Sequence, residues 1–188
     1  MEGDLTPNFM SHHIDGGPRI FVACLSSHHA GMQHGRWLDA AQETDELREE
    51  IALMLEDSPT PNAREWAIHD HEGFSPLTLD EHEDLGEVNE AARLIADYGP
   101  IAAHILVFEG GFGQHEPARA ALEKRYIGAY GSAADWVDEQ IETGAYGPVD
   151  RRLLPYIDRE RLALDQHLGS ELESFDVDGI IHLFRPAN

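Results

Sequence analysis

Hydrophobic positions in the first third of the chain follow two periods. Residues 19–25 form an apolar run of β-branched and aromatic side chains after Gly-Gly-Pro, which predicts a strand. Residues 35–39 and 64–72 predict two further strands. Between them, apolar residues recur at steps of four, three and one, which predicts a helix over residues 44–57. The residues of that stripe are Leu47, Ile51, Met54 and Leu55.

The middle of the chain favours helices. Residues 79–98 carry apolar side chains at steps of three and four, and after Gly99 and Pro100 a more apolar helix is predicted over residues 101–109. Three glycines between residues 110 and 113 then predict a hinge.

The C-terminal part mixes helices with a hairpin. Pro117 suits the first position of a helix running to residue 127, and Ser132 with Asp135 makes a capping pattern for a helix over 133–143. Residues 159–168 are also helical in pattern. The chain closes with two short strands around Asp178-Gly179, a two-residue hairpin signal.

These patterns predict an α+β fold, an elongated chain of three small subdomains. We expect a flexible leader over residues 1–17 and an N-terminal α+β subdomain over residues 18–75. A central, helical and acidic subdomain follows over residues 76–112, and a C-terminal α+β subdomain over residues 113–188. No apolar run reaches the length of a membrane span, and the leader lacks the apolar core of a secretory signal, so we expect a cytoplasmic protein.

Charge separates this chain from an ordinary domain. Its 188 residues include 36 Asp and Glu against 13 Lys and Arg, a formal net charge of −23. Such a charge repels nucleic acids and membrane surfaces, so we expect neither as a partner and expect a basic protein instead. The one cysteine, Cys24, lies in an apolar run, which predicts a buried thiol in a reducing compartment.

The acidic residues are densest in the predicted central subdomain. Residues 80–109 carry a net charge of −7. Helical carboxylates three or four residues apart lie about 5–6 Å from each other, a spacing comparable to that of phosphates along DNA. Two copies of the chain would together carry the charge of about 80 Å of duplex.

Other interpretations also fit an acidic surface. A charged helix face is commonly only solvated, and a halophilic protein is acidic and poor in lysine, although this chain has twelve arginines. Residues 176–179 resemble the start of a calcium loop, but the distal Glu of an EF-hand is missing. Composition alone leaves these alternatives open beside imitation of DNA.

The histidines are the residues that best support an enzyme or a metal site. Two histidines and a carboxylate are able to bind zinc or iron. The chain has neither an HExxH nor a paired CxxC pattern. Its glycine-rich stretch at residues 110–113 lacks the Lys-Ser/Thr pair of a phosphate-binding P-loop. We therefore expect no catalytic residue, no metal and no cofactor. The two candidate groups are His69 with His71, and His28, His29 and His34.

Three stretches resemble ArdA-type antirestriction proteins. The first is RIFVACL at residues 19–25, followed by Gly31, Gly35, Trp37 and Asp39. The second is EWAIHDHEGF at residues 65–74. The third, AALEKRYIGAY at residues 120–130 continuing through Ser132 to Trp136, resembles the antirestriction motif of that family. Their order and spacing hold over residues 18–185.

This resemblance implies a function without catalysis. Members of the family are elongated homodimers from mobile genetic elements that occupy the DNA-binding groove of type I restriction–modification enzymes, which specificity and methyltransferase subunits form. Surface carboxylates would imitate the phosphates of bent B-form DNA. An acidic regulator that sequesters another basic DNA-binding protein is the alternative. The candidate phosphate mimics are Glu46, Glu49, Glu50, Asp57, Asp80, Glu83, Asp84, Glu87 and Glu90.

The antirestriction-like motif is less acidic than the family pattern, because Lys124 and Arg125 follow Glu123. We therefore expect its apolar and aromatic side chains to pack in the core or to form a dimer seam, with direct contact to the restriction enzyme as the alternative. These side chains are Tyr126, Ile127, Tyr130 and Trp136.

Overall fold

The computed structural model describes residues 17–168 and 172–187. These residues belong to two compact units, the first reaching residue 119 and the second beginning at residue 120. The predicted leader lies outside the described residues except for its last residue. The boundaries of three subdomains stay a prediction.

Three antiparallel strands form the sheet of the first unit, in the order β2-β1-β3. They are β1 (Arg19–Cys24), β2 (Gly35–Asp39) and β3 (Trp66–Glu72). The central strand β1 is apolar because it is buried between its neighbours. Each strand lies where the hydrophobic pattern predicts one, except that Leu25 begins a helix instead of ending β1.

Two helices follow the first two strands. α1 (Leu25–His29) is one turn long, and α2 (Thr44–Glu56) is the predicted amphipathic helix. Leu47, Ile51 and Met54 of α2 are buried, so the predicted apolar stripe is the face that packs inward. The helix pattern is confirmed here to within a residue.

Helix α3 (Leu85–Tyr98) begins six residues later than its apolar periodicity predicts. Residues 79–84 are not helical, because the side chain of Asp84 caps the helix and fixes its start at Leu85. Gly99, with φ of 79°, ends α3. α4 (Ile101–Glu109) follows at once, as predicted.

The motif region differs most from its prediction. A helix was expected over residues 117–127, but α5 (His115–Lys124) ends earlier, and β4 (Tyr126–Tyr130) follows as a strand. Pro117 is the third residue of α5 instead of the first, still within the first turn, where a missing N–H is tolerated. Aromatic and β-branched residues favour an extended chain once a partner strand is available.

That partner lies in the second sheet, which has the strand order β4-β6-β5. β5 (Glu173–Val177) and β6 (Ile180–Phe184) form the predicted hairpin. Asp178 and Gly179 adopt φ of 52° and 81°, as the two-residue turn requires. The segment that resembled a calcium loop is therefore this turn, and the Asp176 carboxylate accepts a hydrogen bond from the Gly179 N–H at 2.9 Å.

Two predicted helices complete the second unit. α6 (Ala133–Thr143) and α7 (Arg159–Leu168) lie as expected, separated by a 3-10 turn at Leu154–Tyr156. Together with the sheet they enclose a small apolar core. Its buried members are Trp136, Val137, Ala163, Leu172 and Leu183.

The architecture confirms the mixed α+β class. The described residues contain seven α-helices and two three-stranded antiparallel sheets. Within residues 17–168 and 172–187, each helix is too short or too polar to cross a bilayer.

Candidate partner-binding surface

Helix α2 presents the first group of predicted carboxylates. Glu46 and Glu49 are exposed, and no hydrogen bond or ion pair to another described residue is found for either. Glu50 is half-buried and accepts a hydrogen bond from Gln42 Nε2 at 3.0 Å. Glu46 also lies in the first turn, where the helix dipole stabilises an anion. Glu46 and Glu49 are thus free to meet a cation from outside.

Asp57 closes the same helix. It is the C-cap residue of α2, where the dipole disfavours a carboxylate. The guanidinium of Arg36 lies 3.9 Å from the Asp57 carboxylate and offsets part of that cost. Both side chains are exposed, so Asp57 remains accessible, although it already has a cationic neighbour.

The second group lies in the turns before α3. Asp84 Oδ1 accepts hydrogen bonds from the Gly86 and Glu87 N–H groups at 2.9 and 3.1 Å. Asp80 Oδ1 accepts one from the His82 N–H at 3.0 Å. These carboxylates therefore organise the backbone as well as carrying charge. A continuous helical row of acids over residues 80–90 was expected, and this turn replaces its first half.

Glu87 and Glu90, on α3 itself, differ in their surroundings. Glu87 pairs with the largely buried His115, the first residue of α5. Glu90 is exposed, with no ion pair among the described residues. The pairing of Glu87 joins residues 28 positions apart and had no signal in the sequence. Glu83, the remaining member of the set, is half-buried.

A cleft of about 520 Å³ lies between α2 and the acidic turns before α3. Arg48 and Ile51 of α2 line it together with Trp66, and the acidic turns supply Glu83 and Asp84. The backbone N–H of Ile68 in β3 donates to the Glu81 carbonyl at 2.9 Å, which ties the turns to the sheet. Of the candidate carboxylates, Glu83 and Asp84 in the acidic turns line this cleft, whereas α2 contributes Arg48 and Ile51 to it.

Asn89 holds this arrangement together, and sequence reasoning missed it. Its buried side chain donates from Nδ2 to the carbonyls of Ala40 and Gln42, at 2.6 and 3.0 Å. Its Oδ1 accepts from the Thr44 hydroxyl at 2.6 Å. Because Thr44 is the first residue of α2, this network fixes α2 against α3. A polar residue within the apolar stripe of α3 was the available signal.

The cations of the first unit are mostly neutralised nearby. Arg36, Arg48, Arg93 and Arg119 each lie within 4.0 Å of a carboxylate, and Arg19 pairs with Glu72. A paired arginine cancels one local charge and adds no basic patch. The outward field of this unit is therefore negative.

The motif residues belong to the second unit. Trp136 is buried in its core, with Ile127 and Tyr130 packed against that core. Tyr126 is also buried, and its ring stacks edge-on with Phe184 at 5.1 Å. All four side chains thus pack internally, and any part in a dimer seam stays a prediction.

Burial changes the chemistry of both tyrosines. Desolvation raises the pKa of Tyr126 to about 12. Desolvation also raises the pKa of Tyr130, and the neighbouring Glu139 carboxylate, which accepts its hydroxyl hydrogen at 2.6 Å, adds to the effect. Both side chains are neutral at physiological pH.

The fold does not keep the two predicted histidine groups together. A β-bulge leaves His69 between the paired residues of β1 and β3, and its ring contacts His28 with centroids 4.8 Å apart. His71 instead contacts Phe74. His34 Nε2 lies 2.6 Å from the Met54 carbonyl. Over residues 17–168 and 172–187, no three or more His, Cys, Asp or Glu side chains are grouped to hold a metal.

Cys24 is buried at the end of β1, as expected. Its Sγ lies 3.4 Å from the Ser58 hydroxyl, and Ser27 lies 2.9 Å from the same hydroxyl. Burial raises the pKa of the thiol, but hydrogen bonds from Ser58 and Ser27 outweigh it and lower the pKa below its ordinary value.

Comparison with models of protein families gives a match. The family model described as antirestriction protein (ArdA) matches residues 20–179, which is most of the chain. No curated protein matches the sequence. The matched range covers most of both units and, apart from Arg19, all three stretches on which the resemblance depends.

Proposed function

The chain belongs to the ArdA family of antirestriction proteins, whose members interact with restriction–modification enzymes, and on that basis we propose that it inhibits the type I class by imitating DNA. The protein occupies the groove that specificity and methyltransferase subunits form for their substrate. It acts in the cytoplasm, carries out no reaction and needs no cofactor.

The observation that carries this proposal is the state of the carboxylates in the first unit. Glu46, Glu49 and Glu90 face solvent, without a recorded cationic partner among the described residues. The arginines around them are already paired. A basic groove that approaches this surface therefore meets negative charge that no internal ion pair cancels.

The mechanism is competitive occupation. A groove built to bind duplex DNA gains affinity by neutralising phosphates and releasing their counterions. Carboxylates at comparable spacing supply the same electrostatic term without carrying base sequence, so shape determines which grooves fit. The cleft between α2 and the acidic turns gives that surface relief.

We include a homodimer in the proposal, because the resemblance implies one and two copies would carry the charge of about 80 Å of duplex. Two exposed apolar side chains support it, Leu153 and Tyr156, the latter 85% exposed. They lie in a stretch where arginines balance the acids, between Asp150 and Arg161. Such a locally neutral, apolar surface suits contact between two acidic chains. Sedimentation equilibrium of the full chain measures the stoichiometry.

The test is a cleavage assay with a purified type I enzyme and a plasmid that carries its recognition site. Excess protein is expected to abolish cleavage, and a matched type II nuclease in the same buffer is expected to be unaffected. Inhibition should weaken steeply between about 50 and 200 mM salt, because counterion release drives binding.

Two results would contradict the proposal. Full cleavage in the presence of excess folded protein would exclude inhibition of the type I enzyme tested. Inhibition that does not change with salt would exclude imitation of phosphates. Recovery of a different basic DNA-binding protein, with no restriction subunit, would instead favour the sequestering regulator.

A further inference from the structure

The outer face of α2 carries one large apolar side chain among its carboxylates. Glu46, Glu49, Leu53 and Glu56 follow each other at steps of three, four and three, so they share one side of the helix. All four are exposed. We call these four residues the α2 outer face.

Leu53 is not part of the buried face of α2. The inward face of α2 consists of Leu47, Ile51 and Met54, which are buried. Leu53 lies on the other side, and 46% of its surface remains exposed. Among the described residues, no ion pair or hydrogen bond is found for the carboxylates of Glu46, Glu49 and Glu56 that flank it.

A single exposed leucine is ordinary on protein surfaces, and α7 offers the comparison. Leu164 is also 46% exposed and also lies on a helix. Its neighbours Arg161 and Asp165 form an ion pair at 3.0 Å, so its surroundings are neutral. Leu53 has the same exposure but lies among unpaired negative charges.

We infer that the α2 outer face docks on a basic protein surface that presents an apolar side chain between lysines or arginines, with Leu53 as the apolar anchor. This inference rests on the proposed function and names the contact it would use. Surfaces that read duplex DNA combine phosphate-binding cations with apolar groups that contact the thymine methyl. The α2 outer face complements both features.

Leu53 contributes affinity that does not depend on charge. Carboxylate contacts weaken as the salt concentration rises, because the release of counterions then contributes less to the free energy of binding. Burial of an apolar side chain does not depend on counterions. Leu53 therefore keeps part of the affinity at salt concentrations that screen its neighbours, and it discriminates against polycations that lack an apolar group.

The experiment measures the Kd of the full chain for a purified type I modification enzyme of specificity and methyltransferase subunits, at a series of salt concentrations. Leu53→Ala is expected to weaken binding roughly fivefold at every salt concentration, with the slope of log Kd against log salt unchanged. Leu164→Ala is the matched control and is expected to bind like the wild type. Leu53→Met keeps the apolar surface and is expected to restore binding.

A charge variant separates the two contributions. Glu49→Gln is expected to reduce the salt slope by about one, with a loss of affinity that shrinks as salt rises. If Leu53→Ala bound like the wild type, or lost no more than Leu164→Ala, the anchor would be refuted while inhibition itself still stood. If the wild type failed to bind the enzyme at all, the proposed function would fail instead. Circular dichroism of each variant verifies that it is folded.

Discussion

The two units of the molecule use their acidic residues differently. Residues 17–119 contain 20 Asp and Glu against six Arg, a net charge of −14, whereas residues 120–187 contain 13 against seven Lys and Arg, a net charge of −6. Both units contain ion pairs: Asp138 pairs with Arg159 and Arg125 lies 2.9 Å from Glu173 in the second unit, and Arg93 lies 2.9 Å from Glu43 in the first. In the first unit, Glu46 and Glu49 are left facing solvent. Net charge alone therefore does not identify which carboxylates are accessible to a partner, whereas the contacts of each carboxylate do.

A second contrast concerns one buried polar side chain in each unit. Asn89 in the first unit is buried and makes three hydrogen bonds. Trp136 in the second unit is also buried, yet its Nε1 has no hydrogen-bond partner among the described residues. A satisfied buried group stabilises its surroundings, whereas an unsatisfied one costs free energy.

The largest effect expected from the loss of hydrogen bonds follows from the satisfied group. Asn89→Ala removes three hydrogen bonds, to the carbonyls of Ala40 and Gln42 and from the Thr44 hydroxyl, and Gln42 keeps only the longer bond from Arg93 Nη2 at 3.4 Å. We expect the free energy of unfolding of the first unit to fall by about 2–4 kcal/mol. Urea denaturation measures it. A loss below about 1 kcal/mol would mean that the network does not hold α2 against α3.

The next prediction compares how much the carboxylates of each unit contribute to binding. The triple variant Glu46→Gln, Glu49→Gln and Glu90→Gln is expected to weaken binding to the type I enzyme roughly 10- to 100-fold at low salt. The salt slope should fall by about three, because three phosphate-like contacts are lost.

A matched triple in the second unit serves as the control. Glu142→Gln, Glu160→Gln and Asp178→Asn remove the same charge from exposed positions. We expect the affinity to change by less than about threefold, through the long-range field alone. Equal losses in the two triples would show that only total charge matters, and the contrast between the units would lose its functional meaning.

Sequence reasoning succeeded where local pattern determines the structure. The α2 helix and the β5–β6 hairpin depend on apolar spacing and on turn residues, both visible in the chain itself. It failed for residues 79–84, because the Asp84 cap fixes the start of α3 more strongly than apolar periodicity does. It also missed β4, since a strand at residues 126–130 exists only through pairing with β6, more than 50 residues away.

The candidate surface was predictable in composition but not in geometry. The nine carboxylates were named from charge density and from family resemblance. The roles of Asp84 as a cap and of Glu87 as the partner of His115 depend on backbone geometry and on contacts distant in sequence. The contact of these residues with a partner stays a prediction.

A smaller effect on the free energy of unfolding is expected when the helix cap of either unit is removed. Asp84 and Ser132 cap α3 and α6, each accepting a hydrogen bond from a backbone N–H. Asp84→Ala and Ser132→Ala are each expected to lower the free energy of unfolding by about 1 kcal/mol. Asp84→Asn retains the cap, so its stability should be close to that of the wild type.

A binding measurement then distinguishes the roles of the two capping residues. If the Asp84 carboxylate contacts the enzyme, Asp84→Asn should weaken binding although it is stable, whereas Ser132→Ala should leave the affinity unchanged. Thermal unfolding and the binding assay together measure both properties. Full affinity of Asp84→Asn would remove Asp84 from the set of phosphate mimics and leave it a structural cap.

The smallest expected effect returns to the unsatisfied group of the second unit. Trp136→Phe removes the buried indole N–H, which relieves the cost of an unpaired donor, and also leaves a small void in the core. The two terms oppose each other, so we expect the stability to change by less than about 1 kcal/mol. Trp136→Ala has no such compensation and should cost about 3–5 kcal/mol. If Trp136→Phe were as damaging as Trp136→Ala, the indole N–H would have to be satisfied in solution, and the contrast with Asn89 would disappear.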